Sequence, residues 1–181
     1  MKSIYSVHPS VAHARAIIGN LPVKTGKPIT EWVRLIKEAG PAGEKERRDW
    51  LKKEYKLGGA TASMIVDRAE GKGAEDTDPE AYLKAATEYV ETMYAGTKAG
   101  LRPIHDALIV LGRSLGNDVK ICPCQTIVPL YRQHVFAQIK PTTRTRIDFG
   151  LALKGAKKKI PKRLLDTGGL AKNDRVSRLP P

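Results

Sequence analysis

A chain of 181 residues with 41% hydrophobic side chains can bury one core or two small ones. No apolar run approaches the roughly 18 residues that a membrane-crossing helix needs, and two cysteines make no disulfide framework. The net charge of +13 is uneven: residues 140–181 hold twelve Lys or Arg against three Asp, while residues 1–139 hold twenty basic and sixteen acidic side chains. A basic end of this kind fits a polyanion partner, or marks an acidic element that is missing. The opening Met1-Lys2-Ser3-Ile4-Tyr5-Ser6-Val7-His8-Pro9 has neither the continuous apolar core nor the cleavage site of a signal peptide. The expectation is a cytoplasmic protein that does not engage a membrane.

Ser10 is placed to cap a short helix carrying Val11, Ala14, Ile17 and Ile18, closed by Gly19-Asn20 and Pro22. Lys24-Thr25-Gly26-Lys27-Pro28 has the residue types of a phosphate loop. No strand precedes it, and no second glycine stands at the required spacing ahead of Gly26-Lys27, so it reads as a helix–helix connector. Thr30 caps a helix in which Trp32, Leu35, Ile36 and Ala39 fall at i, i+3, i+4 and i+7, and which Gly40-Pro41 stops. A third helix over 44–57 turns Trp50, Leu51 and Tyr55 inward, and a fourth over 61–70 buries Ala62, Ile65, Val66 and Ala69. The pair joined at Lys56-Leu57-Gly58-Gly59 has the outline of a helix-turn-helix. Its outward Ser63, Asp67, Arg68 and Glu70 offer two acids against one base, which favours a plain bundle over a DNA reader.

Gly71-Lys72-Gly73-Ala74-Glu75-Asp76-Thr77 is polar and aperiodic, a natural domain boundary. Asp78-Pro79-Glu80 then starts a helix with Tyr82, Ala85, Ala86, Tyr89, Val90, Met93 and Tyr94 in one stripe. Pro103 opens another, with Ile104, Leu108, Leu111 and Leu115 expected inward and His105 and Asp106 outward without partners. Three strands follow, over 126–131, 135–139 and 143–153. The last alternates Thr145, Ile147, Phe149, Leu151 and Leu153 against Arg144, Arg146 and Asp148. Residues 154–159 form a basic loop, 162–166 a short extended segment or turn, and 167–170 a turn.

Lys24-Thr25-Gly26-Lys27, Glu31-Trp32-Val33, Trp50-Leu51-Lys52 and Leu57-Gly58 resemble a small helical bacterial domain of unknown function. Leu101-Arg102-Pro103-Ile104, the run from Ile127 to Arg132, the run from His134 to Pro141, and the run from Arg146 to Leu151 resemble a second uncharacterised domain often fused to it. The resemblance implies an α+β second half and no activity. Relatives continue past the segment matching Asn173-Asp174-Arg175-Val176 with a strand and an acid-containing helix, so those elements are expected to be missing here.

The fold class expected is therefore α+β. Residues 1–72 form a small helical bundle and 73–78 a linker. Residues 79–181 form an α+β domain with two helices packed on a small, mainly antiparallel sheet, lacking a terminal strand and helix. An uncovered sheet edge would then favour a homo-oligomer. Cys122-Pro123-Cys124 supplies two metal-ligand types, but His8, His13, His105 and His134 are scattered and give no second pair. Asp118-Val119-Lys120 has the local shape of a metal-dependent hydrolase element, yet no Glu follows Glu91. No nucleophile motif is present. The remaining constellation is Arg132, His134, Lys140, Arg144 and Arg146, a set of cations on the polar side of adjacent strands, suited to phosphates or carboxylates. The function expected is non-enzymatic binding of nucleic acid or a small anionic ligand, without a cofactor. The alternatives are a protein-interaction scaffold and a metal-dependent hydrolase.

Overall fold

Five helices form in the first half because start and stop signals recur at short intervals. α1 (Pro9–Gly19) is capped by His8, whose Nδ1 accepts from the Ser10 amide at 3.0 Å, so the cap is His8 and not Ser10. α2 (Leu21–Thr25) follows directly and ends at Gly26, whose φ of 74° is left-handed and suits a residue without a Cβ. α3 (Ile29–Ala39) is capped at Pro28, two residues ahead of the expected Thr30 cap, and buries Trp32 and Ile36. α4 (Glu44–Tyr55) buries Leu51, and α5 (Gly59–Ala69) buries Ala62, Ile65 and Val66. These side chains and Leu21 are one core, each large aliphatic group contributing about 1.5–3 kcal/mol. The Trp32 indole N–H donates to Thr25 Oγ1 at 3.0 Å, so a core residue also fastens the connector after α2.

The outward acids of α5 are stapled to α4. Arg48 lies 3.3 Å from Asp67 and 3.1 Å from Glu44, and Arg47 pairs with Glu70. Partly exposed pairs of this kind are worth under about 1 kcal/mol each, but they commit the face a DNA reader would present. Residues 71–78 fold as successive turns. Arg68 donates to the Gly73 carbonyl at 3.3 Å and to Thr77 Oγ1 at 2.5 Å, which holds this segment against α5. The chain divides into two units, His8–Tyr82 and Met1–Val7 with Leu83–Pro181, so the division falls inside α6 (Pro79–Met93). The computed structural model describes residues 3–153, 164–166 and 176–178.

In the second unit a 3₁₀ segment (Gly96–Leu101) leads into α7 (Arg102–Ser114). The strands are β1 (Lys120–Ile121), β2 (Val128–Tyr131), β3 (Val135–Pro141), β4 (Ile147–Ala152), β5 (Leu165–Asp166) and β6 (Val176–Arg178). They form one antiparallel sheet in the order β1-β2-β3-β4-β6-β5. Register sets Val128 opposite Ile139 and Ile139 opposite Phe149; Leu130 faces Ala137, and Ala137 faces Leu151. Cross-strand partners share a face, so these residues make the apolar side. α7 lies against it at Leu130, and a Cβ on Gly112 would collide with the Leu130 side chain. The fold is α+β, and no helix of the described residues is long and apolar enough to cross a membrane.

In the sheet-bearing unit three expectations change. β4 starts at Ile147, because the Thr142 and Thr143 amides donate to the Arg146 carbonyl at 3.1 and 3.3 Å and close a turn over 142–146. α7 is rotated from the expected face: His105, Ile109 and Gly112 are buried, while Ile104, Leu111 and Leu115 are 51%, 50% and 50% exposed. Asp106 has a partner, Arg102 at 2.9 Å. Beyond β4 the sheet continues through β6, which pairs with it antiparallel. The basic loop at 154–159 and the turn at 167–170 lie outside the described residues.

Candidate functional site

The five cations expected on one polar face are divided between the two ends of β3. Arg132 and His134 belong to the β2–β3 turn; Lys140, Arg144 and Arg146 belong to the end of β3 and the β3–β4 turn. Six residue steps at about 3.3 Å separate the ends by about 20 Å, so the set is two sites. At the first end Arg132 is engaged. Its guanidinium lies 3.3 Å from Asp118, donates to the Leu115 carbonyl at 2.7 Å, and stands 5.9 Å from the Phe136 ring centre. It closes the C-terminus of α7 onto the β2–β3 turn. His134 is exposed, and its carbonyl accepts from the Arg132 amide at 3.1 Å.

At the second end the cations are less committed. Arg144 is exposed at the tip of the turn, and Lys140 is exposed on β3; neither makes an ion pair among the described residues. Arg146 lies 3.1 Å from Asp148, the one carboxylate here among the described residues, and Thr142 donates to the other oxygen of Asp148 at 2.6 Å. That carboxylate organises the turn and leaves the outer guanidinium edge of Arg146 unbonded among the described residues. A fourth cation comes from the 3₁₀ segment: Lys98 donates to the Pro141 carbonyl at 2.7 Å. The sequence did not single out Lys98, because only the fold carries it to the strand end.

A second polar group was expected on the wrong face of α7. His105 is fully buried, and neither ring nitrogen has a hydrogen-bond partner among the described residues. Its ring lies 4.6 Å from that of Tyr94, whose buried hydroxyl is also unpartnered. Burial holds His105 down at about 4 and raises the Tyr94 hydroxyl well above its ordinary range. Around the pair Arg102 bridges Glu91 and Asp106, at 2.9 Å each. The available sequence signal was Gly112: a glycine inside a helix marks a close-packed face, and His105 lies two turns before it on that face.

Residues 13–71 match the family model of a domain of unknown function (DUF4287), and residues 90–177 match that of a second (DUF5655). Together the two matches fit an uncharacterised two-domain family. No curated protein and no solved structure matches it. The Lys24–Lys27 connector lies within the first matched domain; the β3–β4 turn, His105 and both cysteines lie within the second.

In that second domain Cys122 is buried beside β1, and its thiol points to the Val7 carbonyl at 3.7 Å. Cys124 Sγ lies 3.8 Å from the Cys122 carbonyl. Burial pushes the Cys122 thiol up to about 12 and raises Cys124 as well, away from the thiolate that a metal or redox site uses. Asp118, the start of the hydrolase-like triplet, is paired with Arg132. Among the described residues no three His, Cys, Asp or Glu side chains gather at metal-binding distance.

Proposed function

We propose that the C-terminal domain is a non-enzymatic binding module of the cytoplasm that holds the phosphate backbone of nucleic acid on the β3–β4 turn. The observation that carries this reading is the pair Lys140 and Arg144, exposed and free of ion pairs, beside Arg146 and Lys98, with Asp148 the one carboxylate near them among the described residues. Arg144 and Arg146 offer planar forks of donors that match phosphate geometry. The turn carries no aromatic residue, so contact falls on phosphates and not on stacked bases, and recognition is independent of sequence. Fluorescence anisotropy of a labelled single-stranded oligonucleotide across a salt series tests this. The Lys140→Ala/Arg144→Ala/Arg146→Ala variant should bind more weakly, with a log–log salt slope shallower by about 2, since each single-strand phosphate contact contributes about 0.7. An unchanged slope in a folded variant rejects the turn as the binding surface.

One observation favours a second reading, the interaction module. Ile104, Leu108, Leu111 and Leu115 follow the 3.5-residue spacing of a two-helix seam, and three of them are half exposed. The flanking Ala107 and Ser114 carry no charge that would repel a second copy of this chain, which is the proposed occupant. Sedimentation over a concentration range, with Leu111→Gln as comparison, decides it: a monomer throughout ends this reading.

A further inference from the structure

The helical unit contains a cavity of about 890 Å³ between the turn after α2 and the turn after α4. Its floor is apolar, from Ile17, Leu21, Trp32 and Leu57. Its polar lining is Lys24, Lys27 and Lys56 with Thr25, Tyr55 and Thr61, and no carboxylate among the described residues lines it. This is a segregation of charge, because residues 8–82 hold thirteen Lys or Arg and twelve Asp or Glu, almost a balance. Elsewhere in the unit six of the ten other bases are ion-paired among the described residues, Arg47 with Glu70, Arg48 with Asp67, Lys52 with Asp49 and Lys72 with Glu44 among them. The three cavity lysines make no ion pair among the described residues.

The backbone supports the same placement. Both turns end their helices in left-handed residues, Gly26 at φ 74° and Lys56 at φ 55°. Lys56 is the one non-glycine residue with positive φ among the described residues. A helix of this kind usually ends on glycine, and two glycines stand just beyond, at Gly58 and Gly59. A lysine held where glycine is easier is strain kept for a side chain at that spot.

We infer that this cavity binds a small phosphorylated molecule, its phosphate held by Lys24, Lys27 and Lys56 and its apolar body resting on the Trp32–Leu57 floor. The inference stands apart from the β3–β4 turn, which lies in the other unit. A cavity of several hundred cubic ångströms with a few convergent polar groups is the size and make-up of a small-ligand site. An extended strand would instead need a track of cations, and the cationic lining here is confined to one recess.

The test is calorimetric titration of the full chain with sodium pyrophosphate and, separately, with adenosine diphosphate. Both should bind, the nucleotide more tightly because it also covers the apolar floor. Lys24→Gln/Lys27→Gln should weaken both by at least about tenfold, the scale expected for lost charge-assisted hydrogen bonds. Lys56→Gly should also weaken them while leaving the melting temperature unchanged or raised, since glycine relieves the left-handed backbone; this separates a lost ligand contact from a damaged fold. Lys140→Ala/Arg144→Ala/Arg146→Ala should leave both titrations unchanged, so failure of the turn reading and failure of this one give different results. Absence of binding by either probe at millimolar concentration overturns the inference. So does binding that survives the lysine variants, or a lysine variant that loses only oligonucleotide binding.

Discussion

In α3, Trp32 and Ile36 recur at helical spacing and both are buried; in α7, Ile104, Leu108, Leu111 and Leu115 recur at similar spacing, and three of the four are half exposed. The place α7 gives up in the core goes to His105, an imidazole without a hydrogen-bond partner among the described residues. The helical unit therefore follows the rule that apolar stripes face inward. The sheet-bearing unit breaks it twice on one helix. A sequence agrees with itself across levels where stability alone is selected, and departures concentrate where something else is being served. The contrast predicts opposite responses to the same kind of substitution.

The largest effect should come from truncating the obedient stripe. Ile36→Ala should destabilise the helical unit by about 2–5 kcal/mol, the range for an aliphatic side chain removed from a packed core. Leu111→Ala should fall within about 0.5 kcal/mol at low protein concentration, as for other surface positions. Urea unfolding followed separately for each unit measures both. Comparable losses would mean that the α7 stripe is part of a core after all. A Leu111→Ala loss that grows with protein concentration would instead support pairing of two copies.

Next in size is the pH response of His105. Burial holds it at about 4, against about 6.5 in an unfolded chain. Between those values the unfolded chain takes up a proton that the folded chain refuses. Stability should therefore fall as the pH drops from about 6.5 to about 4, by about 3 kcal/mol in total, and this contribution levels off below. Smaller influences come from Asp106 and Glu91, which favour the charged ring, and Arg102, which opposes it. His105→Phe keeps a ring against Tyr94 and removes the titration. The variant should be at least as stable as the parent near neutral pH, because the unpartnered nitrogens are gone. Its acid-side loss should be smaller by the same 3 kcal/mol or so. Parallel stability–pH curves for the two proteins would show that His105 is already satisfied.

Within the sheet-bearing unit the two ends of β3 sharpen the comparison further. Arg132→Ala removes the contacts to Asp118 and the Leu115 carbonyl, and should lower stability by about 1 kcal/mol while oligonucleotide affinity holds. Arg144→Ala removes no hydrogen bond or ion pair made among the described residues and should do the reverse, with affinity falling severalfold and stability unchanged. A swap of these outcomes would move the binding surface to the β2–β3 end.

The helical unit was legible because stripe and punctuation coincide in it: Gly40 stops the helix that carries Ile36, and Gly58 starts the helix that carries Ile65 and Val66. α7 was not, because Ile104, Leu108, Leu111 and Leu115 are more hydrophobic than the set actually buried, Leu101, His105, Ile109 and Gly112. Periodicity finds an apolar face; it does not say which face a sheet will take. The start of β4 was obscured for a related reason. Thr143-Arg144-Thr145-Arg146 continues the strand's period of two straight through a turn, and only the amides bonded to the Arg146 carbonyl break it. At the candidate site the cations themselves were legible by type. Which of them are engaged was not, because Asp118 and the Leu115 carbonyl reach Arg132, and Pro141 reaches Lys98, only in the folded chain.

The smallest effect is expected at Cys122-Pro123-Cys124, the motif with the most suggestive chemistry in the sequence. Cys122→Ser with Cys124→Ser should lower stability by about 1 kcal/mol or less, since the Val7 carbonyl remains to accept from a buried hydroxyl as it does from the thiol. Metal analysis of the parent should find no stoichiometric ion for the variant to lose. Thiol labelling supplies the sharper readout. Burial raises both thiols, Cys122 to about 12, so at mildly alkaline pH Cys122 is held as the thiol and the folded protein should label more slowly than the urea-unfolded chain. Fast labelling of the native protein, or a metal bound by the parent and lost with the cysteines, would show that the segment opens or recruits ligands from elsewhere. In that case these two residues, and not the stripe of α7, would be the place where the sheet-bearing unit departs furthest from a plain core.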